Sequence, residues 1–414
     1  MTNRMTHHWF PIKITPLLFL LVTSPLYAEG PVSAPPADTK PVQELPPGTQ
    51  PAATPSDPGQ TTPLQPGATR PTMLLSTSPM NDAARYLAGL PVATGSKIAA
   101  LTQQSSWQAH ARAMNQAFSQ LEQRQLNNIR VFRAENIAPV TQQSHTCVYL
   151  FSGPDFLYAD AMFSDCSTFV LQGLEPVVPL PDLSTVPPAA LAGTLQNIET
   201  SLNTILSFSF FKTKDMRENF EHTELKGVLP ALAVFMARTG KEIKGIDYLS
   251  LDKAGAVVQG FQGGTRGAKI TFVDTATGTE KVLYYFTSDL SDDAIKRNPG
   301  LLRFCEGLGP FNSLLKAASY LLHEGGFETV RNFLLQNSNA VLEDDSGIPV
   351  HFFSADHWTL RFFGIYTGPI DLFKKFYQPD LRQLYTASSP KPLTFGFGYR
   401  WSSRTSTMFL AVRK

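Results

Sequence analysis

The chain has 414 residues, 43% of them apolar and 17% charged, and its formal charge is +1. That is enough material for a sizeable core, in one large body or two ordinary domains. With no Lys/Arg run it lacks the cationic footprint that releases counterions from phosphate backbones, so no nucleic-acid partner is expected.

In chain order, Arg4 and Lys13 accompany a compact apolar run, Leu17-Leu18-Phe19-Leu20-Leu21-Val22, and Ser24-Pro25-Leu26-Tyr27-Ala28 supplies a boundary ending on a small residue. This is the recipe of a cleavable signal peptide over 1–28, with cleavage near Ala28 and a periplasmic or secreted product. No Cys follows the run to carry a lipid, and no later stretch of about 20 apolar residues predicts a span in the mature body. Residues 29–77 then turn Pro-rich (Pro35-Pro36, Pro46-Pro47, Pro51, Pro55, Pro58), with almost no large apolar side chains. Such a segment cannot offset the entropy of ordering and reads as a disordered spacer.

The body is expected over 78–414, with 78–240 and 241–414 as candidate subdomains. Trp107, Ala111, Met114, Phe118, Leu121, Ile129 and Phe132 form one apolar stripe, which predicts a long helix over 105–134. Cys147–Phe151 and Ser167–Leu171 read as strands around a short helix from Pro154 to Phe163. That crossover suits a parallel β-α-β unit. Further helices are expected at Leu191–Ile205, Met216–Phe220 and Val228–Ala237. An antiparallel meander follows at Ile246–Leu251, Ala256–Gln259, Ala268–Val273 and Val282–Phe286. Helices are then predicted at Phe311–His323 and Phe327–Gln336, and strands at Val350–Phe353, Thr359–Tyr366, Leu393–Trp401 and Thr407–Val412. The fold class is therefore α+β, or mixed α/β, with a helical first half.

Parallel strands place ligand sites at their carboxyl ends. There stand Ser152-Gly153-Pro154-Asp155 and Gly173-Leu174-Glu175-Pro176, so Ser152, Asp155 and Glu175 are the candidate ligand-binding residues. Two carboxylates in adjacent loops can divide acid and base roles, with His351 or His357 as a third member. The plainer reading of Ser152–Asp155 is a helix start with its own cap. Asp344-Asp345-Ser346-Gly347, near His351 and Asp356-His357, mixes ligand types that suit a metal, but Asp345-Ser346-Gly347 is also an ordinary hairpin turn and Asp356-His357 can cap a loop; neither a metal nor a cofactor is expected. Ser313-Leu314-Leu315-Lys316 has the Ser-x-x-Lys spacing, but Ser250–Lys253 and Ser388–Lys391 repeat it, so chance explains it.

Of Cys147, Cys166 and Cys305, the first two would lie at the same ends of two parallel strands. If those strands are neighbours, they are the expected disulfide, leaving Cys305 free.

The blocks Tyr149-Leu150-Phe151-Ser152-Gly153-Pro154-Asp155-Phe156-Leu157-Tyr158, Leu171–Val177, Asp344–Pro349 and Tyr366–Ile370 resemble a family of exported bacterial proteins of unknown function, over the whole body. The resemblance implies one inherited unit and no reaction. The expectation is a non-enzymatic cell-envelope protein that binds a partner protein or small molecule. The alternative is an envelope hydrolase using Asp155, Glu175 and a histidine.

Overall fold

Successive side chains in Cys147-Val148-Tyr149-Leu150 are all buried, yet they enter two different cores, Cys147 and Tyr149 on one side and Val148 and Leu150 on the other. A strand buried on both faces has this continuous apolar run instead of alternation. It is the centre of a mixed sheet in a computed structural model that describes residues 78–210 and 224–414. The expected signal peptide, spacer and Met216–Phe220 helix lie outside these residues.

The strands are β1 Thr146–Tyr149, β2 Thr168–Gly173, β3 Lys241–Leu251, β4 Val257–Gln259, β5 Thr265–Asp274, β6 Thr279–Thr287, β7 Phe311–Leu315, β8 Ser338–Glu343, β9 Trp358–Gly364 and β10 Thr407–Arg413. They form one ten-stranded sheet in the order β4-β3-β5-β6-β2-β1-β7-β8-β10-β9. The five central strands, β6-β2-β1-β7-β8, run parallel, and antiparallel pairs extend both sides. The sheet continues across residue 240, because β6 docks against β2. The fold is mixed α/β with a helical first half, including the short β-α-β unit β1–helix–β2.

Helices of the first half, Pro79–Leu87, Ser105–Leu121, Phe156–Phe163, Pro188–Ser207 and Leu229–Arg238, cover one face through Tyr86, Met114, Phe156, Ile198 and Phe235. Helices Asp292–Arg297, Gly300–Gly307, Glu328–Asn337 and Pro379–Ala387 cover the other through Ile295, Leu301, Phe333 and Leu381. The long helix expected over 105–134 runs on to Thr141 through two wide π turns, Glu122–Leu126 and Arg133–Ile137. The second precedes Pro139, which has no amide to continue an i→i−4 ladder. Among the described residues no helix is long and apolar enough to cross a membrane.

Several elements differ from expectation. Phe311–Leu315 is strand β7, followed by a 3-10 turn, Ala318–His323. All five β7 residues are buried, and a short run buried on both sides carries no period that separates strand from helix. Ser338–Glu343, which begins with polar residues, is a strand that the apolar pattern passed over. Leu393–Trp401 is no strand; it is an irregular loop that turns at Gly398. Val350–Phe352 is a 3-10 turn.

Candidate functional site

From β1 the chain crosses to β2 over the first face, and from β7 it crosses to β8 over the second, moving away from β1 in the opposite direction. The topology therefore switches between β1 and β7. An open α/β sheet receives its ligands above the carboxyl ends of the strands at such a switch.

Both strands leave the sheet through residues in the left-handed region. Phe151 has φ 61° and Ala317 φ 64°, and they are the two non-glycine residues with positive φ among those described. At Ala317 ψ is −66°, and the Ala318 amide donates to the Lys316 carbonyl at 2.8 Å. That is the strained form of the γ-turn, whose cost must be met by surrounding contacts. Phe151 is fixed by its amide, which donates to Gln172 Oε1 at 2.9 Å. Ser152 Oγ donates to the Gln172 carbonyl at 3.1 Å and accepts from the Gln172 amide at 3.2 Å.

These exits bring Asp155 and Lys316 together. Asp155, 2% exposed, caps helix Phe156–Phe163 by accepting from the Tyr158 amide at 3.1 Å, and it accepts from the Tyr149 hydroxyl at 3.1 Å. Lys316 Nζ, equally buried, stands 2.6 Å from Asp155 Oδ2 and donates to the Ser209 carbonyl at 2.6 Å. The ammonium lies 3.4 Å from the centre of the Tyr158 ring. Burial pulls both groups toward neutrality, Lys316 down and Asp155 up, and each opposes the shift of the other.

The end of β8 adds more carboxyl groups. Asp344 Oδ2 accepts from the Ala317 amide at 3.0 Å, and Oδ1 accepts from the Ser346 amide at 2.9 Å and from its hydroxyl. Asp345 Oδ2 accepts from the Tyr320 hydroxyl at 3.1 Å. Burial first, and the adjacent Asp344 second, push Asp345 up to about 7. Burial also raises Asp344 and lifts Glu343 well above the usual carboxylate range. The loop around Gly398 closes over this group: a Cβ at Gly398 would sit 1.7 Å from Asp344 Oδ2, and φ there is 64°. Gly398 also accepts from Ser209 Oγ at 2.8 Å.

The carboxylates named from sequence diverge. Gly153 and Gly173 touch, as adjacent strands require, since a Cβ on Gly173 would lie 2.9 Å from Gly153 Cα. Asp155 leans toward β7, however, while Glu175 leans toward β6, where its Oε2 accepts from the Tyr285 hydroxyl at 3.0 Å. His351 lines a cavity on the second face with His323 and Arg331. His357 sits in the turn before β9, the edge strand, and its carbonyl accepts from the Lys414 amide at 3.0 Å. Asp345-Ser346-Gly347, expected as a hairpin turn, is instead part of a buried loop after a parallel strand.

The expected Cys147–Cys166 disulfide is not formed: Cys147, Cys166 and Cys305 are buried free thiols. The strand register sets Cys147 opposite Phe169, and Cys166 lies just before β2. Among the described residues no three His, Cys, Asp or Glu side chains gather as a metal ion would need.

Sequence reasoning missed the cation of the site. Lys316 entered only through the Ser-x-x-Lys spacing, which places both residues on one face of a helix but on opposite faces of a strand. Ser313 accordingly bonds Ser338 Oγ at 2.8 Å on the second face, while Lys316 meets Asp155 on the first. No family model, no curated protein and no solved structure matches this chain.

Proposed function

We propose that this chain is an exported cell-envelope protein whose body binds a small polar ligand at the switch point between β1 and β7. The observation that carries the reading is the buried Lys316–Asp155 ion pair at the topological switch, held between two strand exits with positive φ. A buried charge pair is a weak source of stability, and an apolar pair of equal volume often does better. Charges and strain kept together at the switch point mark a site. Binding is favoured over turnover by Asp155 itself, whose oxygens are already engaged by Lys316, Tyr149 and the Tyr158 amide. The export half of the proposal rests on the Arg4–Ala28 pattern.

The test is native mass spectrometry on protein purified from the cells that make it. Wild type is expected to carry an added small-molecule mass that the Lys316→Met and Asp344→Asn proteins lack. An unliganded wild type, or the same added mass in all three, overturns the reading.

A second reading, acid–base hydrolysis, is favoured by one observation: Asp345 is held near neutrality beside Asp344. It moves the catalytic pair from Asp155 and Glu175 to the end of β8. It predicts a hydrolytic activity that Asp345→Asn abolishes while the fold stays intact.

A further inference from the structure

Beyond the carboxyl ends of β7 and β8 the chain builds a ribbon of touching aromatic rings. It starts at Tyr320, which stacks on Phe373 with ring centres 4.5 Å apart. Phe373 meets Tyr399 at 5.2 Å, and Tyr399 meets Phe210 at 4.9 Å. Phe210 stacks on Phe208 at 6.0 Å, and Phe208 meets Trp401 at 5.0 Å. Three separate stretches of chain therefore share one apolar surface, held together by ring contacts.

Both ends of the ribbon are open. Trp401 is 47% exposed, and Leu372, beside Phe373, is 75% exposed; no large apolar side chain among the described residues is more open. Leu372 belongs to the 3-10 turn Asp371–Phe376, which packs on the turn Ala318–His323, where Leu321 is 43% exposed. The turn reads Asp371-Leu372-Phe373-Lys374-Lys375-Phe376, so two exposed lysines follow its apolar pair. Their methylene stems can lie along apolar surface while the ammonium groups stay in water. Lys375 is engaged by Glu324 Oε1 at 2.6 Å, and Asp371 is the acid of the turn itself. Lys374 and Arg404, three residues past Trp401, have no acidic partner among the described residues.

We propose that this surface docks on an anionic phospholipid bilayer. Leu372 and Trp401 enter the boundary between headgroups and acyl chains, and Lys374 and Arg404 meet the lipid phosphates. Exposed Leu and Phe bordered by Lys and Arg is the composition of segments that lie in a membrane interface, and Trp and Tyr prefer that depth. A glycan fits less well. It needs ring faces turned outward together, whereas Trp401 stands at 63° to Phe208 and Tyr399 at 58° to Phe210, and Leu372 offers no ring at all. The surface is separate from the pair Lys316–Asp155 and does not depend on the function proposed there.

The test mixes the purified full chain with vesicles of equal parts phosphatidylglycerol and phosphatidylcholine whose acyl chains are brominated, and reads tryptophan quenching. Trp107 and Trp358 are buried, and each protein is read against its own Trp401→Phe form, so the difference reports Trp401 alone. That difference also isolates this surface from the apolar run Leu17–Val22, which every variant shares. Wild type should show Trp401 quenching, stronger than on vesicles of phosphatidylcholine alone and weakened by salt. Leu372→Asp should reduce it about tenfold at subsaturating lipid without moving the melting temperature, since the side chain it replaces is exposed. Lys374→Glu should remove the preference for phosphatidylglycerol. Trp401 unquenched in wild type, quenching undiminished in Leu372→Asp, or equal quenching on both vesicles overturns the proposal. So does a wild-type dimer that Leu372→Asp splits, which would make the surface an interface between copies of the chain.

Discussion

The Lys316 ammonium stands 2.6 Å from the Asp155 carboxylate, with both side chains almost fully buried. Neither residue is near the other in sequence; adjacent parallel strands bring them together. Removing the cation leaves a buried carboxylate with no counter-charge. Lys316→Met is therefore expected to cost about 3–5 kcal/mol in urea unfolding. The double variant Lys316→Met/Asp155→Asn should lose clearly less than the sum of the single losses, because the amide can still accept from the Tyr158 amide. Strict additivity would show that the two groups do not interact energetically.

Asp345 predicts a pH dependence. Its folded value of about 7 lies above the usual carboxylate value near 4. Between those limits the folded state holds a proton that the unfolded state has released, so stability falls as pH rises from about 4 to about 7. Its contribution is complete below that window and gone above it. Melting curves from pH 5 to pH 8 should show wild type losing stability more steeply than Asp345→Asn. Parallel curves would place the titrating group elsewhere.

Gly398 and Gly278 share a left-handed backbone, with φ 64° and 71°, but differ in their surroundings. A Cβ at Gly278 meets nothing within 4 Å, whereas at Gly398 it collides with Asp344. Gly278→Ala should cost only the backbone penalty, about 1–2 kcal/mol. Gly398→Ala should cost at least about 2 kcal/mol more, as the loop lifts from the carboxylate. Equal losses in thermal unfolding would mean that the loop does not close on Asp344.

Ala317 offers the opposite experiment. Glycine at φ 64° removes a steric penalty of about 1–2 kcal/mol and adds about 0.5–1 kcal/mol of unfolded-state entropy. Ala317→Gly is thus expected to be neutral or stabilising by up to about 1.5 kcal/mol. Ala317→Val should destabilise, because a β-branched side chain fits positive φ worst. Denaturant midpoints of the two variants on the same side of wild type would contradict the γ-turn.

The cysteines give a chemical count. Denatured without reductant, the protein should titrate three thiols, since Cys147, Cys166 and Cys305 are all free in the structure. A single reactive thiol would mean that Cys147 and Cys166 are joined after all.

What the sequence determined by itself was local. The apolar stripe from Trp107 to Phe132 specified its helix, because a 3.6-residue period reports one buried face. The run Cys147–Leu150 and the spacing to Thr168 specified a parallel β-α-β unit, because a crossover of that length permits little else. A helix start at Ser152–Asp155 was legible for the same reason, since a cap is set by neighbours in the chain, and the structure makes Asp155 the capping residue.

The site was decided by tertiary structure. Asp155 pairs with Lys316 and not with Glu175 because β1 lies between β2 and β7, and the two loops lean to opposite sides. Lys316 and Asp344 were visible only as a Ser-x-x-Lys spacing and a mixed-ligand cluster, since β7 and β8 are short strands buried on both faces, or begin on polar residues, and so carry no period that places them. The switch point exists only because two crossovers leave β1 and β7 over opposite faces. Strand order is a property of long-range packing, which no local pattern encodes.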